Sequence, residues 1–378
     1  MTWPMATMPR IEQIRLYRLK VPLQVPYRLA FGLVEHFDTI VVECASGDGA
    51  TGLGEATVLT GYTDETIDDS WAAAGTIADE LAALDTGAAR HRLDQLLPER
   101  PFVSTAFGTA LEMLAGSPHL RMGAATAVPI LAVLNATGEA ALREEIERLL
   151  AAGYRTLKVK VGFGVDKDAA HVALVQRILG GRAQIRLDAN QGYSAAQGVA
   201  FVRTLDPAGI ELFEQPCAAG DWDSHMAVAR ESRVPMMLDE SIYGMADIER
   251  AAALEAAAYI KLKLMKLGSL EALAQALARI RSLGMEPVLG NGVACDLGCW
   301  MEACIAARHI RNAGEMNGFL KPRGALLATP LDVRDGAIQL DPAFSPRLAR
   351  ERMEPFIVAS RDAARGALRR AADYIVEQ

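Results

Sequence analysis

Three acidic residues constrain this chain more than anything else in it: Asp188 in RLDAN, Glu214 in LFEQP and Asp239 in MLDES. Each closes a short apolar run and is followed by a polar turn. Successive acids lie about 25 residues apart, the length of one strand and one returning helix. In a parallel barrel, that period brings all three to the same ends of neighbouring strands. Three carboxylates that close repel one another unless a cation holds them. An oxygen-only set that leaves room for water or substrate suits Mg²⁺.

At 378 residues the chain is long for one domain and short for three, which predicts two. A net charge of −8 argues against a nucleic-acid surface or an anionic membrane as partner. No apolar run approaches membrane-spanning length. The opening residues lack the order of a signal peptide. Cys44, Cys217, Cys295, Cys299 and Cys304 form no CxxC pair, so they read as reduced thiols, and a cytoplasmic location is expected.

Residues 11–56 alternate in strand fashion and turn at Gly47–Gly49. Between the first two strands, QVPYRLAFGLVEHFD reads as a loop of about fifteen residues, a length usually tied to function. An Ala- and Leu-rich helical stretch follows from 65 to 116. Residues 1–125 are therefore expected to form an α+β domain. From Pro129, strand-like and helical segments alternate every 20–30 residues. This predicts an α/β catalytic domain over 126–350, a (β/α)7β TIM-type barrel with its site at the C-terminal strand ends. Residues 351–378 are expected to be helical and to pack back on the barrel or the cap.

The second barrel strand reads Leu157-Lys158-Val159-Lys160-Val161. Side chains alternate along a strand, so Val159 and Val161 face the helices and both lysines face the interior. An inward lysine is costly unless it is paired or functional. The sixth strand repeats the pattern with Lys261 and Lys263. It lies half a turn of the barrel away, so Lys160 and Lys263 are expected to face each other, with the three acids on the arc between. The proton beside a carboxylate is very weakly acidic, and its removal leaves an enediolate. A divalent cation stabilises that charge where it develops. A lysine on one flank takes the proton as free amine, and a lysine opposite returns one.

With these residues in view, the chain resembles the enolase superfamily, in particular its muconate cycloisomerase (mandelate racemase/muconate lactonizing enzyme) subgroup. The motifs are VPYRLAFG, GLGEATVLTGYTDET, LKVKVG, LDANQGYS, EQP, LDES and KLMKLGS, and they span most of the chain. The resemblance implies Mg²⁺ bound by Asp188, Glu214 and Asp239. It implies an acid/base pair of Lys160 and Lys263, with Lys158 on the substrate carboxylate. It also implies that residues 1–125 are a capping domain, whose specificity loops at 15–37 and 57–65 lie over the barrel mouth as lids and bring Tyr27, Arg28, Phe31 and Tyr62 to the distal part of a small-molecule carboxylate. The expected activity is racemisation or epimerisation of an amino-acid-derived carboxylate in a homo-oligomeric enzyme. Cycloisomerisation or β-elimination is the alternative.

Several positions depart from the family pattern. The seventh strand reads LGNGVACDLG, which offers Asn291 and Asp296 as pocket candidates but no glutamate. The eighth reads Glu315-Met316-Asn317 where dipeptide epimerases carry Asp-x-Asp. Lys261 replaces an asparagine and needs a carboxylate partner. Asn190 is expected to point inward like Asp188, and Lys266 to be solvated.

Overall fold

The computed structural model describes residues 9–29, 32–61, 64–82 and 84–364. Strands β1 (Ile11–Leu29), β2 (Gly32–Ser46) and β3 (Thr51–Val58) form an antiparallel sheet. Helices Ile67–Leu81, Thr86–Leu96 and Pro101–Leu114 follow. The side chains of Thr66 and Asp85 cap the first two by accepting a backbone N–H one turn in. Both faces of β2 are buried: Ile40, Val42 and Cys44 meet the capping helices, and Phe37 and Val41 join the core shared with the barrel. That two-sided burial is why TIVVEC is apolar without clean alternation. Gly54 lets the third helix lie directly on β3, because a Cβ there would strike the carbonyl oxygen of Ala106.

The loop expected between the first two strands is instead a pair of hairpin arms. β1 and β2 pair again from Tyr27–Val34 to Leu29–Gly32, beyond an irregularity between Pro22 and Tyr27. Pro26 falls within that irregularity, and the ladder resumes past it. The base of the arm is tied to the barrel where Gln24 N–H donates to the Lys321 carbonyl at 2.8 Å.

After a short strand, β4 (Thr126–Pro129), come seven parallel strands: β5 (Ala132–Leu134), β6 (Thr156–Lys160), β7 (Gln184–Asp188), β8 (Ile210–Glu214), β9 (Met236–Leu238), β10 (Tyr259–Leu262) and β11 (Glu286–Leu289). They are hydrogen-bonded in chain order, and a helix returns after each. The sheet leaves one gap, between β11 and β5. Gly314 and Glu315 span it: Glu315 N–H donates to the Leu289 carbonyl and Leu131 N–H to the Gly314 carbonyl, each at 2.9 Å. Gly290 makes room for this segment, since a Cβ there would stand 2.5 Å from the Glu315 backbone. The architecture is thus the expected α/β one, an open TIM-type barrel under an antiparallel cap. Strands β12 (Asp332–Arg334) and β13 (Ala337–Leu340) pair with β4 in a small separate sheet.

The helix expected over 351–378 is not found in its described part. Helical turns are confined to Arg350–Met353 and Glu354–Phe356. Residues Ile357–Ala364 form β14, antiparallel to β1 on the outer edge of the capping sheet. The expected helix gives way to the edge of β1, which a strand satisfies. Residues 365–378 lie outside the described residues. Among the described residues no helix is long and apolar enough to cross a membrane.

The barrel interior is layered as strand alternation requires. Leu212, Met237 and Val288 make a small apolar cluster, Lys158, Arg186 and Lys261 stand level with it in the strand register, and Lys160, Asp188 and Glu214 lie one inward position further toward the C-terminal ends. Val159 and Val161 point outward into the helical layer, as their parity predicts.

Candidate active site

Strand register sets the site. Lys160 pairs with Asp188 across β6 and β7, and Asp188 with Glu214 across β7 and β8, so these ends are level. Asp239 directly follows β9, and Lys263 directly follows β10. Lys158, Lys160, Asp188, Asn190, Glu214, Asp239, Glu240, Lys261, Lys263, Asn291 and Glu315 all line one cavity of about 280 Å³. Thr57, Leu59 and Gly61 of the cap close part of its wall, with Met265 and Val293 from the barrel.

The charges on its floor interleave. Lys158 Nζ lies 2.7 Å from Asp188 Oδ2 and 2.9 Å from Glu214 Oε2. Lys261 Nζ lies 3.0 Å from Glu214 Oε1 and 3.5 Å from Asp239 Oδ2. Both lysines also hold Glu315. On the flanks, Lys160 meets Asp188 at 2.7 Å and Lys263 meets Asp239 at 2.9 Å. Burial alone would raise the Asp188 carboxyl, but Lys158 and Lys160 outweigh it and hold it at about 2. Burial likewise opposes ionisation of Asp239 and Glu315, and the lysines around each keep it well below the ordinary range. Glu214 is pushed up by its burial and by the neighbouring charge of Asp188.

Backbone strain is concentrated in the turns that aim these groups. Asn190, Gln191 and Gln215 adopt φ of 41°, 68° and 40°, all just past the acids of β7 and β8. Gln215 steadies the next loop: its Oε1 accepts the Asp239 N–H at 2.9 Å, and its Nε2 donates to Ser241 Oγ at 2.7 Å. Asn190 links the two flanks, with Oδ1 on the Lys160 ammonium and Nδ2 donating to Glu240 Oε1 at 3.1 Å.

Two readings of the sequence change, one is completed, and one residue was missed. Lys266 is not solvated: it is buried, 3.0 Å from Asp239 Oδ1, and faces the Tyr243 ring at 5.1 Å. Burial, with Lys263 beside it, lowers Lys266 to about 8. Asp296 does not line the cavity: its carboxylate accepts the Leu326 and Leu327 N–H groups at 2.9 and 3.0 Å, a structural bracket. Lys261 finds its partners in Glu214 and Glu315. Glu240 is a cavity residue that the sequence reading missed, although it stands beside Asp239 in LDES. Burial and the Asp239 charge raise it to about 7. Tyr62, Phe31 and the side chains of Tyr27 and Arg28 lie outside the described residues.

Among the described residues, no three His, Cys, Asp or Glu side chains are arranged to hold a metal ion as they stand. Lys158 and Lys261 lie between the strand-end acids instead. The donor chemistry nevertheless fits a hard divalent cation. The set is all carboxylate, it lies at level strand ends, and its fully buried floor carries more negative than positive charge.

The family model described as enolase C-terminal domain-like matches residues 141–344. An L-Lys-D/L-Arg epimerase of Methylococcus capsulatus is 32% identical over 282 residues, 69% of this chain and 76% of that protein. An N-succinyl-L-Arg/Lys racemase of Bacillus cereus is 23% identical over 316 residues, 79% of this chain and 82% of that protein. The crystal structure of muconate lactonizing enzyme from Pseudomonas fluorescens superposes with a TM-score of 0.83 at 27% identity, covering 93% of this chain and all of that one. With this cavity at the mouth of this barrel, the chain belongs to the enolase superfamily, in its muconate-lactonizing and mandelate-racemase subgroup. It is an enzyme of that superfamily's isomerase or lyase type, whose chemistry starts with removal of the proton beside a carboxylate.

Proposed function

We propose that the enzyme racemises or epimerises an amino-acid-derived carboxylate, using Lys160 and Lys263 on opposite faces of the α-carbon and Mg²⁺ at Asp188, Glu214 and Asp239. One observation carries this reading: the two lysines come from strands four places apart, yet line one cavity with the three acids on the arc between them. A bound Mg²⁺ supplies Lewis-acid stabilisation of negative charge on the substrate carboxylate. Lys158, fully buried and cationic, adds a fixed positive charge to the same floor. Whichever flanking lysine is the free amine takes the α-proton, and the opposite ammonium delivers one to the other face. Asp188 with Asn190 steadies Lys160, and Asp239 steadies Lys263. The wall of Thr57, Leu59, Met265 and Val293 limits water at the reacting carbon.

The amino-acid-derived substrate is supported by the named activities of the two relatives above. Cycloisomerisation or β-elimination is the second reading, favoured by the likeness to muconate lactonizing enzyme. Proton NMR in D₂O, with Mg²⁺ or with chelator, against N-acyl amino acids, proline derivatives, dipeptides and muconates separates the two. Deuterium at the α-carbon with loss of optical rotation, abolished by chelator, supports racemisation. A new ring or a new double bond supports the second reading, and no reaction with any compound of the panel counts against both. The proposal includes a cytoplasmic location and a homo-oligomeric assembly, checked by cell fractionation and light scattering.

A further inference from the structure

Lys261 stands inside the acid triad. Its ammonium is 3.0 Å from Glu214 and 3.5 Å from Asp239, so it fills the space where an ion shared by those two acids would be. It is 2% exposed, on the floor of the cavity. Its remaining carboxylate contact is Glu315, which is 5% exposed and fixed to the barrel through the backbone bond of its own N–H to Leu289. Glu315 also accepts from Lys158, at 2.9 and 3.2 Å. The buried carboxylates of Asp188, Glu214, Asp239 and Glu315 are thus met by the buried ammoniums of Lys158, Lys261 and Lys266, with Lys160 and Lys263 on the flanks. Among these ammoniums Lys261 is the one that bridges Glu214 and Asp239, and Glu315 offsets its charge.

We propose that Lys261 is a built-in competitor of the divalent cation, and that Glu315 is the carboxylate that holds Lys261 when the cation is bound. This pair then sets the affinity of the site for Mg²⁺. The inference rests on the metal reading above. An ammonium and a divalent ion on the same oxygens repel strongly in a buried site. The ammonium cannot simply be released, because a buried charge without a partner is costlier still. Glu315 is the carboxylate within its reach that the ion does not need. Without Glu315, binding the ion would strand Lys261. Without Lys261, Glu214 and Asp239 would wait for the ion with no rival between them.

The test is calorimetric titration of MgCl₂ into metal-stripped protein at fixed ionic strength. It compares wild type, Lys261→Asn, Glu315→Gln and the double variant, with Lys261→Gln as a second form should the asparagine variant fold poorly. Lys261→Asn is expected to tighten Mg²⁺ binding, and Glu315→Gln to weaken it, each on the order of tenfold. In the Lys261→Asn background, Glu315→Gln should cost much less than in the wild type. Melting in chelator provides a second readout: Lys261→Asn lowers the melting temperature there, and added Mg²⁺ recovers it. Unchanged or weaker binding in Lys261→Asn overturns the competitor role. Equal weakening by Glu315→Gln in both backgrounds overturns the holding role. A wild type that binds no Mg²⁺ removes the metal reading itself, an outcome distinct from either.

Discussion

The Lys263 ammonium stands 2.9 Å from Oδ2 of Asp239, on the opposite side of that carboxylate from Lys266, which stands 3.0 Å from Oδ1. One acid thus serves a candidate proton carrier and a buried structural cation at once. Asp239→Asn is expected to abolish turnover and to lower unfolding free energy by about 3 kcal/mol, because buried Lys266 loses its carboxylate. Adding Lys266→Met should recover most of the stability in denaturant titration and none of the activity. Equal stability of wild type and Asp239→Asn would contradict the pairing.

Stability is expected to fall as pH rises from about 5 to 8. Glu55 and Glu302 are buried where the cap meets the barrel, and one oxygen of each accepts from the backbone, including the N–H groups of Cys295 at 2.7 Å and Leu264 at 2.9 Å. The second oxygen of each has no hydrogen-bond partner. Burial raises Glu55 to about 8 and Glu302 to about 7. Below the ordinary carboxyl range, folded and unfolded chains are both protonated and nothing is lost. Above it the unfolded chain ionises freely and the folded chain does not. The stability held below that range therefore drains away up to the folded-state values, by roughly 3 kcal/mol for Glu302 alone. Glu302→Gln should remove its own share of the slope, which ends at about pH 7, and leave that of Glu55, which runs on to about 8. Chemical denaturation at a series of pH values checks this.

The cap is fastened to the barrel by a carboxylate that caps a helix in the other domain. Glu112 on the third capping helix accepts the N–H groups of Leu270 at 2.6 Å and Glu271 at 2.9 Å, the first residues of Leu270–Ser282. Glu112→Ala removes both bonds and is expected to cost about 2 kcal/mol. Glu112→Gln, which still accepts, should cost less. Thermal melts of the two variants separate acceptor loss from charge loss.

What the sequence revealed and what it hid follow from the range of the interactions. The acids and inward lysines were legible because strand parity and a repeated period are local properties, and β6 to β10 keep both. The fate of Lys261 was not, because its partners come from β8 and from the eighth segment, 47 and 54 residues away. Lys266 looked solvated because it lies past a strand end. Its burial depends on Tyr243 and Asp239, which pack over it from another loop. Asp296 looked like a pocket acid because its position in the seventh unit suits one, but two backbone donors 30 and 31 residues on claim it. The strand at Ile357–Ala364 was hidden for a similar reason. Only the open edge of β1, more than 300 residues earlier, calls for a strand.

The most direct test of two lysines acting on opposite faces of one carbon acid is antipode-resolved exchange in D₂O with Mg²⁺, followed by NMR on each enantiomer of a turned-over substrate. Wild type is expected to deuterate the α-carbon of both enantiomers. Lys160→Ala and Lys263→Ala should both lose racemisation, by 10²-fold or more, while each still exchanges one enantiomer, and not the same one. Exchange of the same single enantiomer by both variants, or of neither enantiomer by the wild type, would contradict the account.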